Sequence, residues 1–144
     1  MTIDLLTLKR TKSDLERKKI SNSQSLSDYV RQFYGDDIDV YESFWILLLN
    51  TNYETIGYAK ISQGGVTSCV VDVKIIAKYI ADSLASAVTL VHNHPSGNLK
   101  ASEQDINITK KVSVAIKNFD CQLLDHIIIG GNGGYLSFAD EGLL

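Results

Sequence analysis

Ala87-Val88-Thr89-Leu90-Val91-His92-Asn93-His94-Pro95-Ser96-Gly97 is the stretch on which the fold turns. Its first five residues are short, apolar and rich in β-branching, the pattern of a buried strand. On a strand, residues i and i+2 point to the same face, so His92 and His94 present both imidazoles to one side at the strand's carboxyl end. Pro95, the chain's one proline, and Gly97 then stop the strand and turn it.

The third candidate ligand, Asp105, lies eleven residues beyond His94, in Ser102-Glu103-Gln104-Asp105. These residues open an amphipathic helix with Ile108, Val112, Ala115, Ile116 and Phe119 at spacings of three and four. A helix start can hold a carboxylate close to a strand end across a short loop. Two imidazole nitrogens and one carboxylate oxygen on rigid elements suit zinc and leave a fourth position for water. Ser102-x-x-Asp105 also fits a capping box, in which the serine caps the helix and the acid reaches back to it. The two uses are compatible, and both stay open for these residues.

Outward from this strand the chain alternates between strands and helices. Residues 1–22 are polar with mixed charge, from Lys9-Arg10-Thr11-Lys12 to Lys18-Lys19, and read as a polar leader or a peripheral helix. Ser23 or Ser25 is placed to cap a helix carrying Leu26, Tyr29, Val30 and Phe33. Strands are expected at about 42–49 and 54–62, joined by a hairpin turn at Asn50-Thr51-Asn52-Tyr53. Gly64-Gly65 precedes an apolar run, Val66–Val71, and Asp72 is placed to cap a helix with Val73, Ile76, Ile80 and Leu84 on one face. A long strand at about 121–130, a glycine-rich hairpin loop and a short strand near 135–138 complete the order. The fold class is α/β, a mixed sheet flanked by helices on both faces. Residues 23–144 read as a single domain.

The combination His92-x-His94-Pro95-x6-Ser102-x2-Asp105 resembles the JAMM motif of the JAB/MPN metallopeptidases. His-Asn-His-Pro-Ser-Gly together with Leu124-Asp125-His126-Ile127-Ile128-Ile129-Gly130 is similar to the bacterial RadC family, and the likeness runs from about Ser25 to Leu143. The resemblance implies the cytidine-deaminase-like core of JAB domains and a Zn2+ ion held by His92, His94 and Asp105. It implies that Glu42, leading Tyr41-Glu42-Ser43-Phe44-Trp45-Ile46-Leu47-Leu48-Leu49, is the general base and acid. By residue type alone, an acid leading an apolar strand is more often a solvated strand end. Ser102 would stabilise charge on the tetrahedral intermediate. The implied activity is zinc-dependent hydrolysis of peptide or isopeptide amide bonds in a peptide or protein substrate, with a tie to DNA repair. One departure from the family pattern is Val73-Lys74, where a Pro-Arg pair is usual; lysine cannot reproduce an arginine's bidentate fork.

His126 stands beside Asp125 in the long strand, and neighbouring strand residues face opposite sides. Either could orient a metal ligand from behind it, or His126 could be a hydrogen-bonded structural residue; it is not counted among the ligands.

Composition agrees with a cytoplasmic enzyme domain: 144 residues, 44% hydrophobic and 22% charged. No run reaches the eighteen or so apolar residues of a membrane span, and the N-terminus lacks the order of a secretory signal. Cys69 and Cys121 lack metal-motif spacing and read as reduced core residues. The deaminase signature, H-x-E with P-C-x-x-C, is absent. Two other classes compete with the hydrolase. One is a non-catalytic zinc-binding interaction module in DNA repair or recombination. The other is a metal-dependent nuclease, but HNH nucleases spread their named residues over a ββα motif, and Pro-Ser-Gly is the wrong continuation. A net charge of −3 and a pI near 5.5 do not support an autonomous DNA binder.

Overall fold

Strand β1 (Ser43–Leu49) lies inside a five-stranded sheet, and all its residues are buried except the half-buried Trp45. In the computed structural model, which describes residues 1–7, 9–64 and 70–144, it is joined by four further strands. These are β2 (Thr55–Gln63), β3 (Ala87–Asn93), β4 (Gln122–Ile129) and β5 (Tyr135–Ser137), in the order β2-β1-β3-β4-β5. Among the described residues only the β3–β4 pair is parallel; the others are antiparallel. The α/β class with a mixed sheet is therefore as expected.

Two apolar layers form because β1 and β3 alternate. Phe44, Ile46 and Leu48 of β1 join Val88 and Leu90 of β3 on one face. There they pack against Ile76 and Ile80 of α2 (Val73–Ser83) and Val112 and Ile116 of α3 (Glu103–Ile116). Leu47, Leu49, Ala87 and Val91 face the other way, onto Leu26 and Val30 of α1 (Ser23–Val30). Each wholly buried Leu or Ile in these layers contributes roughly 1.5–3 kcal/mol.

Several local expectations are corrected. Asn22, not Ser23 or Ser25, caps α1: its extended backbone lets the side chain accept from Ser25 N at 2.8 Å. Ser25 is instead the N3 partner of that capping box. Leu84 leaves the apolar face of α2, because the helix ends at Ser83 and Leu84 turns left-handed (φ 55°), 84% exposed. Phe119 leaves the α3 face for a similar reason. The helix tightens into a 3-10 turn at Lys117–Phe119, which rotates that ring to 46% exposure.

Residues 9–22 form no helix. Thr55 N donates to Lys18 O at 2.8 Å and Ile20 N to Tyr53 O at 2.9 Å, so the chain lies along the β1–β2 hairpin. Ile20 is buried there, which explains why an otherwise polar stretch adheres. Of the apolar run Val66–Val71, residues 66–69 lie outside the described residues, and Val70 and Val71 are not in a strand. Cys69 also lies outside them. Cys121 is a free, buried thiol that burial pushes up to about 11.

Candidate metal centre

Topology brings distant residues to one end of the sheet. β3 and β4 are parallel with α3 between them, and open α/β sheets present their sites at the carboxyl ends of such strands. β1 runs antiparallel to β3 with Phe44 opposite His92, so the amino end of β1 meets the carboxyl end of β3. Glu42 thereby arrives beside histidines fifty residues later in the chain. Glu42, His92, His94 and Asp105 each turn a ligand atom inward, all within 4.8 Å of one another. His92 Nε2 lies 2.9 Å from His94 Nε2, 3.1 Å from Asp105 Oδ1 and 3.7 Å from Glu42 Oε1.

The hydrogen bonds behind the rings decide which atoms face inward. His94 Nδ1 lies 2.6 Å from the Asn98 carbonyl, which can only accept. The His94 proton is therefore on Nδ1, and Nε2 turns a lone pair to the centre. Asp105 accepts from Ser102 N through Oδ2 at 2.7 Å and keeps Oδ1 for the centre. Ser102 Oγ accepts from Asp105 N at 3.1 Å while lining the same cleft. The capping box is thus formed, and the same two residues also face the cleft.

Converging lone pairs and carboxylates repel unless a cation sits among them. Two nitrogens and two carboxylates are a donor set that suits a divalent metal, so these residues can hold a metal ion. Charges in the cluster respond to the same crowding. Burial raises Glu42 above the ordinary carboxylate value, against the opposing pull of His92 and His94. Burial also acts to raise Asp105, but the two imidazoles hold it far below that range. His94 is raised by its hydrogen bond to Asp105, in opposition to burial.

Two contributors were not assigned from sequence. Asn93, between the histidines, points to the opposite face and is fully buried. Its Oδ1 accepts from Ser43 N at 2.8 Å, and its Nδ2 donates to the carbonyls of Ile38 and Tyr41 at 2.7 Å each. It ties the segment carrying Glu42 to the strand carrying the histidines. Strand alternation was the signal for its direction; nothing in the sequence told what it would meet.

His126 is the second. A register shift between Val88 and Thr89 places an extra residue, Leu124, in β4, so His126 swings to the face of His92. His92 Nδ1 and His126 Nε2 are 2.8 Å apart, and His126 Nδ1 is 2.6 Å from Thr109 Oγ1. Asp125 turns the other way and binds Ser137 Oγ and Ala139 N, which fastens β5. Lys74, in contrast, is exposed on the first turn of α2 and does not line the cleft.

The cleft over the cluster has a volume of about 640 Å³ and is lined by apolar Phe44, Val71 and Ile108 and by Lys100 and Lys111. A mixed sheet that gathers two histidines, an aspartate and a glutamate at a strand end defines a JAB-type domain with a candidate metal site. Its particular kind is equally plain: the model of the RadC-like JAB domain matches residues 20–143, and the chain belongs to that family. A UPF0758 protein of Porphyromonas gingivalis is 48% identical over 103 residues, covering 72% of this chain and 45% of that protein. One of Flavobacterium johnsoniae is 36% identical over 141 residues, 98% of this chain and 60% of the relative. One of Fusobacterium nucleatum is 36% identical over 131 residues, 91% and 55% respectively. The chain spans about half the length of these relatives. Among the described residues, no helix is long and apolar enough to cross a membrane.

Proposed function

We propose that this chain is a zinc-dependent hydrolase of peptide-type amide bonds, a JAMM-type metallopeptidase acting on a peptide or isopeptide. The observation that carries this reading is the inward convergence of four ligand atoms within 4.8 Å, beside a cleft open to substrate. His92, His94 and Asp105 would hold the ion. Bound zinc would supply Lewis acidity, lowering the pKa of water towards neutrality and polarising a carbonyl.

The chain's own residues supply the rest. Glu42, with a raised proton affinity, takes a proton from the attacking water and returns it to the leaving nitrogen. Ser102 uses its oxygen to accept from Asp105 N, which leaves its O–H to donate towards a developing oxyanion. Phe44, Val71 and Ile108 add apolar surface to the cleft lining, which lowers the screening of charge that develops beside them.

Metal content of the purified protein beside His94→Ala tests the reading. About one zinc per chain, lost in the variant, is expected from a three-ligand site. Peptide and isopeptide substrates with Glu42→Gln as control then test hydrolysis. Absence of metal in both proteins, even after zinc is supplied, would sink the proposal and turn attention to a non-catalytic interaction module. DNA cleavage that disappears in His94→Ala would instead favour a nuclease.

A further inference from the structure

The buried polar groups behind His92 form a chain with only one consistent direction. Thr109 Oγ1 is 2.6 Å from the Asp105 backbone carbonyl, an acceptor without a proton, so the hydroxyl hydrogen goes there. This is the usual bond of a helical threonine to the carbonyl four residues back. The Thr109 oxygen must then accept from His126 Nδ1, 2.6 Å away. A neutral imidazole carries one N–H, so His126 Nε2 is left bare. It can only accept from His92 Nδ1, at 2.8 Å. His92 has thereby placed its proton away from the cluster, and its Nε2 lone pair faces Glu42, His94 and Asp105.

We propose that Thr109 and His126 are positioning residues that fix the ring orientation and tautomer of His92. The chain begins at the backbone carbonyl of Asp105 and ends on the ring beside that residue's carboxylate. It therefore couples the α3 end of the site to the β3 end through β4. His94 has a shorter counterpart in the Asn98 carbonyl, so the two histidines are set by independent devices. The proposal rests on the reading of His92 as a metal ligand, but its tautomer statement holds for the metal-free protein as well.

Thr109→Val keeps the shape and removes the hydroxyl. Without that acceptor, His126 no longer has a reason to keep its proton on Nδ1. A proton on His126 Nε2 would force His92 to carry its own on Nε2, pointing into the site. The expected result is a zinc affinity about 10–100-fold weaker, the range found when the partner behind a metal ligand is removed. Thr109→Ser restores the hydroxyl and should restore affinity. His126→Phe should weaken binding at least as much as Thr109→Val, with His94→Ala as the control for loss of the site itself.

Long-range proton–nitrogen spectra of the histidine rings in metal-free protein at mildly alkaline pH give a second readout. Wild type and Thr109→Ser should carry the proton on Nδ1 of both His92 and His126, whereas Thr109→Val should move it to Nε2 of His92. A structural role alone would lower thermal stability without changing the tautomer. The proposal is overturned if wild-type His126 carries its proton on Nε2. It is equally overturned if Thr109→Val binds zinc like wild type while His94→Ala does not. If wild type binds no zinc, the metal reading fails, and the ring spectra still decide the relay.

Discussion

Glu42 and Asp105 are carboxylates of one cluster driven in opposite directions, and that divergence separates their uses. Burial favours the proton on Glu42, while two imidazoles keep Asp105 ionised. Glu42→Gln should lower turnover by about 10²–10⁴-fold. Zinc content should be unchanged, and comparable turnover in that variant would defeat the proposed base. Asp105→Ala removes a proposed ligand and should weaken zinc binding by more than about a hundredfold, beyond the loss from removing a supporting partner. Full retention of zinc there would leave helix capping as the acid's whole role. On the proposed ligand set, protons would compete with a metal at His94, whose folded value is raised above the ordinary 6.5. The stabilisation of metal-free protein from this histidine is complete below 6.5 and lost as pH rises through the raised value. Zinc affinity runs the other way. It should climb about tenfold per pH unit until His94 is deprotonated. Chelator competition at several pH values measures it; a flat profile would contradict the assignment of His94 as a ligand. The residue types at this site were legible because a strand's period of two, a proline and a helix start are local signals. Protonation preferences were not, since they depend on neighbours up to sixty-three residues apart in the chain.

Elements met the sequence reading where periodicity was strong and departed from it at their ends. α2 illustrates the departure. Its spacing places Leu84 with Ile76 and Ile80, but one more helical residue was not formed, and Leu84 adopts the left-handed cap. That conformation is unfavourable for a residue with a Cβ. Leu84→Gly should therefore stabilise the protein by about 0.5–1 kcal/mol, read as a raised Tm, because little apolar contact is lost from an exposed side chain. Between elements, Asn93 is the critical fastener. Asn93→Ala would leave the buried Ser43 N and two part-buried carbonyls without their partner and should cost about 1–3 kcal/mol. It should also release Glu42 from its position, so turnover falls while zinc is retained. A variant with normal stability and turnover would show that the segment before β1 is held by other contacts.

At the scale of the whole molecule, metal and fold should be linked. A ligand that binds only the folded chain stabilises it by about 2.7 kcal/mol at a hundredfold excess over its Kd. Zinc should thus raise Tm in wild type, a chelator should reverse the shift, and His94→Ala should show neither effect. The linkage is a property of the assembled sheet, because the unfolded chain has no reason to gather Glu42 with residues 92–105. Local patterning alone determined the α/β class, the buried strand ending in two histidines, and the serine–aspartate start of α3, since each reflects short-range stereochemistry and burial. Tertiary structure alone decided the rest. Antiparallel pairing with β3 carried Glu42 to the histidines, and an extra residue in β4 turned His126 towards His92. Burial of Ile20 laid the polar N-terminal stretch on the hairpin. Register, bulges and docking depend on which distant surfaces meet, and no local period in the chain encodes that meeting.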